Sequence, residues 1–224
     1  MRNLAPPLGA ALLLSLPQAL PGQDLQAICS EFGKLTVGQW ASHRFTGTDT
    51  GTTRFAVVGT EKQGGITLYW YEMKMEGTTG ELAGKGPMIM QMLVPGLGGG
   101  QASEARAMVM KAGNQPAMRM PEQMIGMMRD RAGANNVASE SAKRCQGGRV
   151  VGWESVTVPA GTIRALHVTG DDGDAWVASG IPFGVVKAVG KEGRQMVLTG
   201  HGADAKSSIT EKPQEMPGMG PPPR

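Results

Sequence analysis

Histidine, aspartate, cysteine and methionine are the residue types in this chain whose spacing could do chemistry. The three histidines are His43, His167 and His201. None sits in a GxSxG or HExxH context, and each falls inside or at the end of a stretch that reads as strand. An activated nucleophile needs a base within hydrogen-bond reach and a third group that orients the base. No such pairing, and no pair of carboxylates placed for acid–base work, can be read here, so a non-catalytic protein is expected. Asp171, Asp172 and Asp174 surround Gly173 and could offer oxygens to calcium. The twelve-residue loop and its closing Glu are missing, which makes a hairpin turn the better reading. PGLGGG at 95–100 lacks the Lys-Ser/Thr that ends a phosphate loop, and it reads as a plain loop.

Methionine is the compositional anomaly, with 16 in the chain. They cluster at Met88, Met90, Met92, Met108, Met110, Met118, Met120, Met124, Met127 and Met128. Three readings stay open. Met fills irregular gaps in ordinary cores. Its unbranched, polarizable side chain also suits the wall of a cavity for a ligand of variable shape. Thioethers select Cu(I) as well, and Met88, Met90 and Met92 would share one strand face. No His or Cys lies within the cluster, so no metal or other cofactor is assigned.

Residues 1–22 set the expected compartment. Arg2, the apolar run LGAALLLSL at 8–16 and the breaker-rich PQALPG follow the order of a secretory signal peptide. The run is shorter than the roughly 20 apolar residues of a permanent span, and no later segment is apolar enough to span. The protein is therefore expected in the periplasm or outside the cell. The chain has 22 basic and 19 acidic residues, and the leader accounts for Arg2 and no acid. What remains is close to neutral and has no run of Lys or Arg to grip a phosphate backbone, so nucleic acid is not an expected partner. Cys29 and Cys145 are the two cysteines. In an oxidising compartment such a pair reads as a disulfide.

These residues must be positioned by a mostly β chain. TVGQWASHRF (36–45), TTRFAVVG (52–59) and ITLYWYEMKM (66–75) form a meander divided by GTDTG and Gly64-Gly65. In the third strand Ile66, Leu68 and Trp70 share one face, and Tyr69, Tyr71, Met73 and Met75 share the other. Both faces carry large apolar groups, so both must be covered. PMIMQMLVPG (87–96) reads as a further strand. Ser103 is placed to cap a short helix at about 104–111, and Pro121 to open a second that ends near Gly133, with Met124, Met127 and Met128 in one stripe. GRVVGWESVTVP, TIRALHVTG, AWVASG, GVVKAVG and GRQMVLTGHG return to strand. The expected organisation is one domain at 23–202 with a helical insertion at about 103–133, and a Pro-rich, disordered tail at 203–224. The fold class is mainly β with a small α part: a curved antiparallel sheet, in effect an unclosed β-barrel, with one or two helices on its concave side.

GQWASHRF, VVGTEKQGGITLYWYEMKM, MLVPG followed by MVMKAGNQPAMRMP, ESVTVPAGTIRALHV, WVASGIPFGVVKAVG and MVLTGHG stand in this order. Together they resemble segments of exported bacterial proteins grouped with the outer-membrane lipoprotein-sorting carriers (the LolA/LolB-like fold). The resemblance covers about residues 35–210. It implies an unclosed barrel whose helices lid an apolar cavity for lipid or lipoprotein acyl chains. Trp70, Met88, Met90, Met92, Met124, Met127 and Met128 are the expected lining. Two rivals remain: an envelope interaction module whose core is filled by its own side chains, and a Met-rich copper-binding protein.

Overall fold

A computed structural model describes residues 25, 27–30, 34–97, 105–126 and 147–216. The expected leader at 1–22, Cys145, Met127 and Met128 lie outside the described residues. Among the described residues twelve strands form a single sheet: β1 (Trp40–Thr46), β2 (Thr50–Gln63), β3 (Ile66–Thr79), β4 (Met88–Val94), β5 (Ala107–Ala112), β6 (Met118–Arg119), β7 (Arg149–Val158), β8 (Gly161–Gly170), β9 (Gly173–Val177), β10 (Val185–Gly190), β11 (Gln195–Gly202) and β12 (Gln214–Glu215). Their order across the sheet is β12-β6-β5-β4-β3-β2-β1-β11-β10-β9-β8-β7. The sheet does not close, and it is antiparallel except for the short parallel pair β12–β6. The expected fold class, mainly β in an open sheet, is the one observed.

The sheet is curved, and its own contacts show it. Val156 and Val158 of β7 pack with Val186 of β10 and Leu198 of β11. Ala160 N–H also donates to the Leu198 carbonyl at 3.3 Å. In a flat sheet, four spacings of about 4.8 Å would hold β7 and β11 roughly 19 Å apart. The two meet only because this half curls, and the face that holds their contact is the concave one. Ala41 belongs to the same cluster and is paired with Phe55. That register carries the concave face on through Phe55, Met73, Met90 and Met110 to the other half of the sheet.

The convex face is covered by the two ends of the described chain. Leu25, Ile28 and Cys29, in a helical stretch, lie on Leu166, Val168 and Val177. At the other end, Ile209 packs with Ile89, Val109 and Ala117. Ser207 and Ser208 bond to side chains of β3 and β4.

Two expectations fail here. Residues 107–112, expected within a helix, are strand β5, in register with β4 from Met88↔Ala112 to Leu93↔Ala107. Ala107 and Val109 are buried on one face and Met108 on the other, so the segment has no polar side to alternate with. Residues 203–216, expected to be disordered, are ordered. They are held by long-range bonds to Glu72, Gln91 and Arg119 and by β12, which local composition does not reveal. The second helix is present at 122–126 as far as the described residues run.

Candidate functional site

Alternation along β3, β4 and β5 sends Tyr71, Met73, Met90, Met92, Met108 and Met110 to the concave face. The registers put these side chains in rows across neighbouring strands. One row runs Phe55–Met73–Met90–Met110–Met118 over five strands, and the next runs Val57–Tyr71–Met92–Met108 over four. A cluster centred on Val94, Leu97, Ala105, Met108, Met120 and Ile125 gathers Met90, Met92, Met110, Met124 and Met216 as partly buried members. Met120 N–H donates to the Met108 carbonyl at 2.9 Å, which ties the start of the helical segment to β5. Pro121 accepts from Met124 and Ile125 at 3.0 and 3.1 Å, and the turn lays Ile125 on the methionines.

Aromatic rings stand in the middle of the face. Phe55 and Tyr71 stack at 6.2 Å, and Phe183 meets them edge-on at 6.1 and 5.6 Å. Burial pushes the Tyr71 phenol well above its ordinary value. Phe183 reaches this place from a turn in which Gly184 N–H donates to the Ile181 carbonyl at 2.9 Å. Its φ of 62° lies in the left-handed region, strained for a side chain of this size. The strain persists because the ring joins the two clusters of the concave face.

The structure brings together Met90, Met92 and Met124 of the expected lining. Met88 stands at the end of β4, 42% exposed, paired with Met75 and Ala112. With Gly86, Pro87 and Gly113 these residues line an open depression of about 90 Å³. That is far below the roughly 300–1,000 Å³ of ligand pockets. Gly86 and Gly113 pinch this end: a Cβ on Gly113 would stand 2.6 Å from the Lys85 carbonyl oxygen. Trp70 is not on this face. It lies on the convex side with Leu68, Leu93 and Ala107, and its indole donates to Glu61 at 3.0 Å.

Two polar features, missed from sequence, also lie on the concave side. His43 is 1% exposed, and its Nε2 is 2.9 Å from the Val185 carbonyl, so Nε2 carries the proton. Burial lowers its pKa, partly offset by that bond, and keeps the ring neutral. Among the described residues its Nδ1 and the hydroxyl of Thr53, directly opposite on β2, have no hydrogen-bond partner. The second feature is a clamp. His167 Nδ1 is 2.8 Å from Glu154 and Nε2 is 2.9 Å from Asp174. Trp176 stacks on the ring at 4.4 Å, donates to Glu154 at 2.7 Å and carries the Lys187 ammonium 4.7 Å from its own centroid. Both imidazole nitrogens face carboxylates, which favours the doubly protonated ring. Burial lowers the His167 pKa, but the bonds to Asp174 and Glu154 outweigh it and the net shift is upward. His167 is opposite Trp176 across the hairpin and Asp174 is opposite Thr169, so the clamp closes on a diagonal that only the hairpin register reveals. Asp171 and Asp172 form the two-residue turn between Gly170 and Gly173, as expected. His201 is exposed.

Among the described residues no group of three His, Cys, Asp or Glu side chains is arranged to hold a metal ion. No described helix is long and apolar enough to cross a membrane. Cys29 is buried and is not free.

No family model and no curated protein matches the chain. A solved structure of a "putative lipoprotein" from Parabacteroides distasonis ATCC 8503 aligns with 76% of this chain and 98% of its own, at 12% identity and a TM-score of 0.35.

Proposed function

We propose that this is an exported cell-envelope protein that binds a hydrophobic or amphiphilic ligand, a lipid or a lipoprotein acyl chain, against the concave face of its sheet. One observation carries the reading: methionines and aromatic rings dominate two neighbouring rows on that face, with Val57 the one other member, and several of them are only partly buried. Core positions usually hold branched aliphatics with well-defined rotamers. Rows of flexible thioethers adapt instead to a chain of variable shape. The leader at 1–22 and the resemblance to the lipoprotein-sorting carriers support the compartment and the ligand class. The small depression at Met75 and Met88 is too shallow to enclose a chain, so the ligand lies along the face and separates the helical segment at 122–126 from β4 and β5. Each buried CH₂ contributes about 0.8 kcal/mol, so an acyl chain needs no polar anchor for useful affinity.

The test is a titration with a fluorescent fatty acid. Saturable binding is expected, kept in Met90→Leu/Met92→Leu and lost in Met90→Glu/Met92→Glu. Absence of saturable binding in the unaltered protein would favour an interaction module whose concave side is filled by its own residues.

A further inference from the structure

We infer that Met90, Met92, Met108 and Met110 form a site for one soft monovalent cation, Cu(I) or its redox-stable analogue Ag(I). The four residues stand at the corners of a block of two adjacent strands. Met90 is directly opposite Met110, and Met92 directly opposite Met108. Opposed residues on one face have Cβ atoms about 4.5–5.5 Å apart. Residues two apart along a strand are separated by roughly 6.6–6.8 Å. A methionine sulfur lies beyond two further rotatable bonds, so four thioethers can lean over the centre of this quadrilateral from all corners.

The surroundings suit a soft ion and no hard one. Glu72, the buried carboxylate of these strands, and Gln91 alternate to the convex face, where they bond to each other and to Ser207 and Ser208. Neutral thioethers select Cu(I), whereas Mg²⁺, Ca²⁺ and Mn²⁺ require oxygen ligands that the four residues lack. Met108 is 6% exposed and the other three are partly buried. An ion there would be shielded from water on the sheet side and reachable from the side of the helical segment.

The site needs sulfur, whereas the amphiphile reading needs only apolar surface. Replacement by Leu, which keeps volume and removes sulfur, therefore separates the two. The processed protein is titrated anaerobically with Cu(I) against a chelator of known affinity. In parallel, Ag(I) is added to protein carrying ¹³C-methyl methionine and followed by NMR. One competitively held Cu(I) per chain is expected, with methyl shifts centred on the four residues. Met90→Leu/Met92→Leu/Met108→Leu/Met110→Leu should lose that ion and still bind fatty acid. Met75→Leu/Met88→Leu, at the end of the sheet, should keep it. Should the fourfold variant not fold, Met92→Leu/Met108→Leu carries the same test and should hold Cu(I) more weakly. Unchanged Cu(I) affinity in the folded Leu variants, failure of the unaltered protein to compete with the chelator, or methyl shifts confined to other methionines would overturn the site.

Discussion

Ser208 donates both its backbone N–H, at 2.9 Å, and its hydroxyl, at 2.7 Å, to the fully buried carboxylate of Glu72, 136 residues earlier in the chain. Gln91 donates to the same carboxylate at 2.7 Å, and the Arg54 guanidinium is 3.9 Å away. The segment after β11 is therefore fastened to the convex face of β3 and β4 by a charged acceptor that depends on it for its own hydrogen bonds. A hydrogen bond to a charged group contributes about 1.5–3 kcal/mol. Ser208→Ala should cost about that much in denaturant unfolding. Glu72→Ala, which orphans Gln91 and Ser208 together, should cost more. Equal stability of Ser208→Ala and the unaltered protein would mean that the fastening contributes nothing.

The clamp around His167 makes a pH prediction whose sign follows from its shifts. The His167 pKa is raised from 6.5, so its contribution is complete below about that value and fades as pH rises through the folded pKa. The Glu154 carboxyl is lowered from 4.5, first by its bond from Trp176 and then by His167. The Asp174 carboxyl is lowered from 3.8, first by its bond to His167. Their contributions are present above those values and fade as pH falls. The clamp is thus strongest between about pH 4.5 and 6.5. The difference in Tm between the unaltered protein and His167→Gln should be largest in that window and shrink on both sides. A difference independent of pH would contradict the charged clamp.

Thr53 faces His43 with its hydroxyl buried and, among the described residues, unpartnered. A buried polar group without a partner costs about 1–3 kcal/mol. Thr53→Val, which keeps the shape and removes the hydroxyl, should leave stability equal or higher. A loss of more than about 1 kcal/mol would show that the hydroxyl is bonded, through a bridging water for instance.

What could be read in the sequence depended on whether the cause was local. Residues 66–75 carry apolar groups on both sides, and the structure covers both sides: Ile209 and Ser208 on one, the methionine cluster on the other. Residues 107–112 misled because Ala, Met and Lys are good helix formers, and a strand buried on both faces does not alternate. The Ser207–Ser208–Ile209 fastening was hidden because its partners, Glu72 and Gln91, are more than a hundred residues away. The methionine clustering was visible as composition. Its ordering into rows, and the exclusion of Trp70 from that face, needed the registers of β3, β4 and β5.

Cys29 is a buried residue of the helical stretch that covers Leu166 and Val168. A bridge to Cys145, as the two-cysteine count in an exported chain leads one to expect, would close a loop worth about 4–5 kcal/mol in the chain-entropy model. Thiol titration of denatured, unreduced protein from the native host should find no free thiol, and reduction should lower Tm. Two titratable thiols would exclude the bridge.

The most direct test of the amphiphile reading is native mass spectrometry of the protein purified without detergent from its own host. The account predicts a population carrying the added mass of one lipid, released on denaturation and recovered by extraction. In Met90→Glu/Met92→Glu that population should vanish while the fold persists. A single mass equal to the bare polypeptide, together with no saturable uptake of a fluorescent fatty acid, would contradict it.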